Sequence, residues 1–157
     1  MWFGLVVALA VIAADQAAKA WVLSFFAGYT GGAPVATVTP FFNLVLTGNR
    51  GMSFGLFNTN AAMNTAVFTI LAAVIVVALI LWLRRAASPM VRLALGLIIG
   101  GAVGNVIDRV ARGAVVDFLD FHLGTWHWFA FNVADAAICL GVVALLLDGL
   151  LAHPKAA

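Results

Sequence analysis

The sequence predicts an all-α polytopic membrane protein, with four transmembrane helices, a small extracytoplasmic β-sheet and an aromatic-rich outer loop. Three observations carry this. The chain of 157 residues is 65% hydrophobic and only 9% charged, against about 45–50% and about 25% in soluble domains. Four segments approach the about 20 apolar residues that a bilayer crossing needs. The few charges cluster toward one face of the membrane, and one of the four segments has none. At this length one domain, residues 1–157, is expected.

The first segment runs from Trp2 to Leu23. It lacks the basic start of a cleavable signal peptide and continues into Asp15 and Lys19, so it is expected to be retained. Asp15 and Lys19 are one helical turn apart and can pair. The connection from Ser24 to Ala62 holds Val35 to Thr47, rich in β-branched and aromatic residues and broken at Pro40, which reads as strand. The second span, Met63 to Leu83, carries no charge. A tight turn with Arg84, Arg85 and Arg92 leads to the third span, Val91 to Val110; three arginines there mark a cytoplasmic connection and so place both termini on that side. Lys19, Arg50, Arg109 and Arg112 fall near the opposite side. Lys19 and Arg109 have adjacent carboxylates and are therefore counted as site residues rather than topology signals. The outer connection from Arg112 to Asn132 carries Phe118, Phe121, Trp126, Trp128, Phe129 and Phe131, an interfacial aromatic belt. The fourth span is Val133 to Leu151.

A net charge of +2 with no basic stripe gives no reason to expect nucleic acid as a partner. The single cysteine, Cys139, has no partner for an intrachain disulfide and reads as a small packing residue. His122 and His127 show no metal-ligand spacing, and no metal or cofactor is expected. Gly51-Met52-Ser53-Phe54-Gly55 matches the serine-hydrolase elbow pattern, but that motif needs a strand–turn–helix in an α/β sheet, so Ser53 is not taken as a nucleophile.

The acids remain. Asp117 and Asp135 lie at the two ends of the second outer connection, beside apolar segments where a carboxylate is costly and so marks a candidate functional site. Two carboxylates that meet can share a proton and activate water without a metal. Asn132 shares a helical face with Asp135 and can orient it. In the third span Gly96, Gly100 and Gly104 recur every four residues and lead to Asp108, while Gly101, Asn105 and Arg109 form a parallel column. Small residues at that spacing pack helices closely, whereas the amide of Asn105 and the guanidinium of Arg109 need polar partners. Asp120 reads as a solvated loop charge and Asp108 as structural. A proton-coupled transporter would carry polar groups near the bilayer midplane and repeated halves, and neither is visible.

Five blocks, in order, resemble the lipoprotein signal peptidases, or signal peptidase II: Asp15-Gln16-Ala17-Ala18-Lys19; Asn49 to Gly55; Gly104-Asn105-Val106-Ile107-Asp108-Arg109; Val115-Val116-Asp117-Phe118; and Phe131-Asn132-Val133-Ala134-Asp135. The resemblance covers nearly the whole chain. It implies an aspartic endopeptidase of the bacterial inner membrane, multi-pass, with cytoplasmic termini and an active site toward the extracytoplasmic face. It implies Asp117 and Asp135 as the catalytic pair, with Asn49, Asn105, Arg109, Asn132, Asp15 and Lys19 binding substrate or bracing the site. The implied substrate is a diacylglyceryl-modified prolipoprotein, cut just before the lipidated cysteine, in contact with membrane phospholipid; globomycin-type cyclic peptides are the implied inhibitors.

Overall fold

A computed structural model describes residues 1–50 and 61–151. Four helices, α1 (Trp2–Phe25), α2 (Ala61–Arg85), α3 (Pro89–Arg112) and α4 (Val133–Leu151), are long and apolar enough to cross a membrane. Each contains the segment expected of it, extended at most by about a turn, which is the usual uncertainty of helix ends. The Gly51–Gly55 motif, including Ser53, lies outside the described residues.

α3 is the centre of the bundle, and its glycines explain why. A Cβ on Gly96 or Gly100 would run into the backbone carbonyls of Gly4 and Ala8 on α1, and one on Gly101 into the carbonyl of Ala134 on α4. The two glycine columns therefore face different helices, so α3 approaches both at backbone contact. α2 rests chiefly on α3 and leaves Val67, Ile70, Leu71, Val74, Val77 and Leu81 exposed, the surface that lipid covers. α3 starts at the N-cap Ser88, whose hydroxyl oxygen accepts the Val91 N–H, and ends at Gly113, whose φ of 75° supplies the left-handed cap.

The sheet is antiparallel, in the order β1 (Val35–Thr39), β2 (Phe42–Asn49), β3 (Val115–Leu123), β4 (Trp126–His127). Pro40 falls in the β1–β2 turn, where a missing N–H is harmless. Val22 and Phe26 at the end of α1 pack with Leu44, Val116 and Phe118, seating the sheet on the helices. The outer connection read as an aromatic loop thus contains β3, which pairs with β2 and is buried from Val115 to Phe118. Asp117 stands on a strand, opposite Thr47.

Candidate active site

α4 begins beside β3, and its first turn brings the two predicted acids into one network. Asn132 is the N-cap. Its side-chain oxygen accepts the Asp135 N–H at 2.9 Å, and the Asp135 carboxylate accepts the Asn132 N–H at 3.3 Å, a reciprocal capping box. The Asn132 amide donates to Asp117 Oδ1 at 2.7 Å. One buried asparagine therefore touches both aspartates. Asn49, at the end of β2, also hydrogen-bonds the Asp117 side chain. The Asn105 amide donates to Asp135 Oδ1 at 2.8 Å, while its oxygen accepts from Lys19 Nζ at 3.1 Å.

Asp117 is buried, and this burial pushes its carboxyl up to about 6; the nearby Asp135 charge adds to the rise, while hydrogen bonds from Asn49 and Asn132 and the Lys19 charge oppose it. A carboxyl held there sits within reach of both protonation states near neutral pH, as an acid–base group needs. Two cavities flank the pair. One of about 740 Å³ opens on Asp117 and is lined by Thr47, Asn49, Arg50 and Phe129. The other, of about 500 Å³, opens on Asp135 and is lined by Trp128, Phe129, Phe131 and Cys139.

Asp15 and Lys19 are wholly buried and pair at 2.8 Å. Asp108 and Gln16 join them: Lys19 pairs with Asp108 at 2.7 Å, and the Gln16 amide donates to Asp15 at 3.1 Å and to Asp108 at 3.2 Å. Arg109 differs from expectation. Among the described residues it has no ion pair, because the neighbouring Asp108 is taken by Lys19 and by Arg112 at 2.6 Å. Among the described residues its Nη1 reaches the Asn105 carbonyl at 3.5 Å and its buried Nε has no hydrogen-bond partner. Arg109 and Asn105 instead line an apolar groove with Phe68, Leu71, Ile98 and Ile138, between α2, α3 and α4.

Asp120 is not a solvated charge. It is 7% exposed, accepts from the Asn43 amide at 3.0 Å and meets His127 Nδ1 at 3.0 Å. An odd separation along β3 turns it to the face opposite Asp117. The only sequence signal for this was the acid–histidine spacing in the aromatic segment. Among the described residues no group of three His, Cys, Asp or Glu side chains is arranged to hold a metal.

Comparison with known proteins fits this geometry. The family model for "Signal peptidase (SPase) II" matches residues 7–151. A lipoprotein signal peptidase from Methylorubrum extorquens (strain PA1) is 45% identical over 157 residues, covering 98% of this chain and 88% of that one. One from Nitrobacter hamburgensis is 46% identical over 158 residues, covering 98% and 94%. Two bacterial membrane enzymes solved by the in meso method superpose with TM-scores of 0.81 and 0.77, each at 27% identity, covering 98% and 100% of this chain and 96% and 95% of theirs. With its four apolar helices, small antiparallel sheet and these relatives, the chain belongs to the signal peptidase II family.

Proposed function

We propose that this chain is an aspartic endopeptidase that removes the signal peptide from diacylglyceryl-modified prolipoproteins, with Asp117 and Asp135 as its catalytic pair. The observation that carries the assignment is the Asn132 bridge, which ties both acids into one hydrogen-bonded unit beside two open cavities. Membership of the family makes it a peptidase acting on prolipoproteins. The rest is chemistry. Like charges in contact resist double ionisation, so one acid is ionised and its partner protonated. The ionised acid takes a proton from water as that water attacks the carbonyl preceding the lipidated cysteine. The protonated acid donates to the carbonyl oxygen. Collapse breaks the C–N bond, and the cysteine nitrogen leaves with a proton returned from the pair. Asn49, Asn105 and Asn132 orient the acids, and Arg109 with the apolar groove receives the membrane-embedded part of the substrate. The arginine turn between α2 and α3 faces the cytoplasm with both termini, so the sheet and the site face outward, at the phospholipid headgroups of the inner membrane.

The test is cleavage of a diacylglyceryl-modified prolipoprotein by the purified chain in lipid. Asp117→Asn and Asp135→Asn each abolish cleavage while keeping the fold, and a globomycin-type cyclic peptide blocks the wild type by occupying the site. Near-normal turnover by either variant refutes the assignment, and binding without turnover by the wild type makes the chain a lipoprotein-binding protein instead.

A further inference from the structure

The proposed chemistry needs Asp117 and Asp135 at one fixed separation, yet they stand on different elements, β3 and α4. Two other acids, Asp15 and Asp108, take part in no step and are wholly buried. Their backbone partners follow a pattern. Asp15 Oδ1 accepts the N–H of Ala134 at 3.0 Å, and Asp108 Oδ2 accepts the N–H of Val116 at 3.1 Å. Each thus holds the residue just before one of the proposed catalytic acids. Both are joined by a single cation, since Lys19 Nζ lies 2.8 Å from Asp15 Oδ2 and 2.7 Å from Asp108 Oδ2. The third donor of the ammonium goes to Asn105 Oδ1 at 3.1 Å, and the amide of that asparagine donates to Asp135.

We infer that Lys19 is a positioning residue: acting through Asp15 and Asp108, its ammonium sets the distance between the backbones that carry Asp117 and Asp135. The inference rests on the reading of those two acids as the catalytic pair. All three ammonium donors are used, each by a different acceptor. The strand is held through Asp108, the helix through Asp15 and the Asp135 carboxylate through Asn105. A compact ammonium suits three converging acceptors, whereas a planar guanidinium presents its donors in a fork. Buried ion clusters often add little net stability, which leaves geometry as the role this one serves.

The test compares wild type, Lys19→Met and the neutral combination of Asp15→Asn, Lys19→Met and Asp108→Asn, as full-length protein in lipid. The combined variant leaves no charge on the three cluster positions, frees only the partly exposed Arg112 from its pair with Asp108, and keeps an acceptor for each N–H, so it tests the inference even where Lys19→Met fails to fold. Misplacing reacting groups by about 1 Å costs about 100-fold, so kcat is expected to fall about 100-fold. KM should stay within about threefold, because substrate contacts are untouched. The loss should persist at every pH. A purely electrostatic influence of Lys19 on Asp117 would only move the pH optimum, and a purely stabilising cluster would leave kcat of the folded combined variant intact. Either of those results overturns the inference. Asp117→Asn in the same assay separates the two failures. An inactive Asp117→Asn beside a fully active combined variant sinks the positioning role alone; an active Asp117→Asn sinks the catalytic pair and the positioning role with it.

Discussion

Asn132 and Asp135 cap one another across the first turn of α4, the side chain of each accepting the backbone N–H of the other at 2.9 and 3.3 Å. The same asparagine amide reaches Asp117 at 2.7 Å. Asn132→Ala removes both functions. Loss of an N-cap costs about 1 kcal/mol, a modest drop in melting temperature. Loss of the bridge leaves Asp117 with its Asn49 hydrogen bond but untied from α4, so kcat is expected to fall by more than the stability change accounts for, about 100-fold for a misplaced group. Thermal denaturation and steady-state kinetics on one preparation check the two effects separately, and a kcat close to wild type removes Asn132 from the site.

The close approach of α3 to α4 at Gly101 makes a second prediction. A methyl there meets the Ala134 carbonyl, one residue before Asp135. Overpacking of this kind costs about 1–3 kcal/mol, and the shift passes directly into the turn carrying Asp135. Gly101→Ala is therefore expected to lower both thermal stability and cleavage. Gly149→Ala is the control, since a methyl at that position meets nothing within 4 Å. Equal effects from the two substitutions would contradict the packing account.

The helices were legible because lipid imposes one requirement, length and apolarity, on every span. The strand pair at Val35 to Thr47 was legible because Pro40 and the β-branched residues punctuate it. β3 was not. Its acids point to opposite faces, Asp117 toward Asn132 and Asp120 toward Asn43 and His127, so neither face is uniformly apolar and the alternation that marks a strand is broken. Its aromatics read as membrane anchors instead. The pairing of Lys19 with Asp15 followed from helical spacing, but its pairing with Asp108 spans two helices and depends on the glycine contacts of α3, which no local pattern encodes. Arg109 looked paired because Asp108 is its neighbour in sequence; consecutive residues on a helix point apart, and Asp108 turns to Lys19.

Asp120 is expected to serve the fold and not the reaction. Burial works to raise its carboxyl, but hydrogen bonds from Asn43 and His127 and the charges of His127 and His122 outweigh burial and hold it below the usual carboxylate range. A depressed carboxyl contributes stability that is present above the unfolded value of about 3.9 and is lost as pH falls toward the folded one. Asp120→Asn should therefore lower stability at neutral pH, lose that difference from wild type below about pH 4, and retain cleavage. Asp120→Ala leaves the buried Asn43 amide unpaired and costs about 1–3 kcal/mol. Denaturation at a series of pH values, alongside the cleavage assay, checks this; loss of cleavage in a folded Asp120→Asn would move the reaction to the wrong face of the strand.

Asp117 shows the opposite sign. Burial first, then the Asp135 charge, raise its carboxyl to about 6. An unfolded aspartate ionises near about 3.9. Between those values the folded chain keeps a proton that the unfolded chain has released, so this group's contribution to stability declines as pH rises from about 4 to about 6 and is constant above. Asp117→Asn should remove the decline. The carboxyl itself can be followed by infrared difference spectroscopy, with a midpoint near the raised value in the wild type. Asp135→Asn takes away a like charge and should lower that midpoint, whereas Lys19→Met takes away an opposite charge and should raise it. The wild-type midpoint belongs to the interacting pair rather than to one residue, so the variants, not the absolute value, carry the argument. A midpoint unmoved by Asp135→Asn would mean that the two carboxyls do not face one another, and a shared catalytic water would have no place between them.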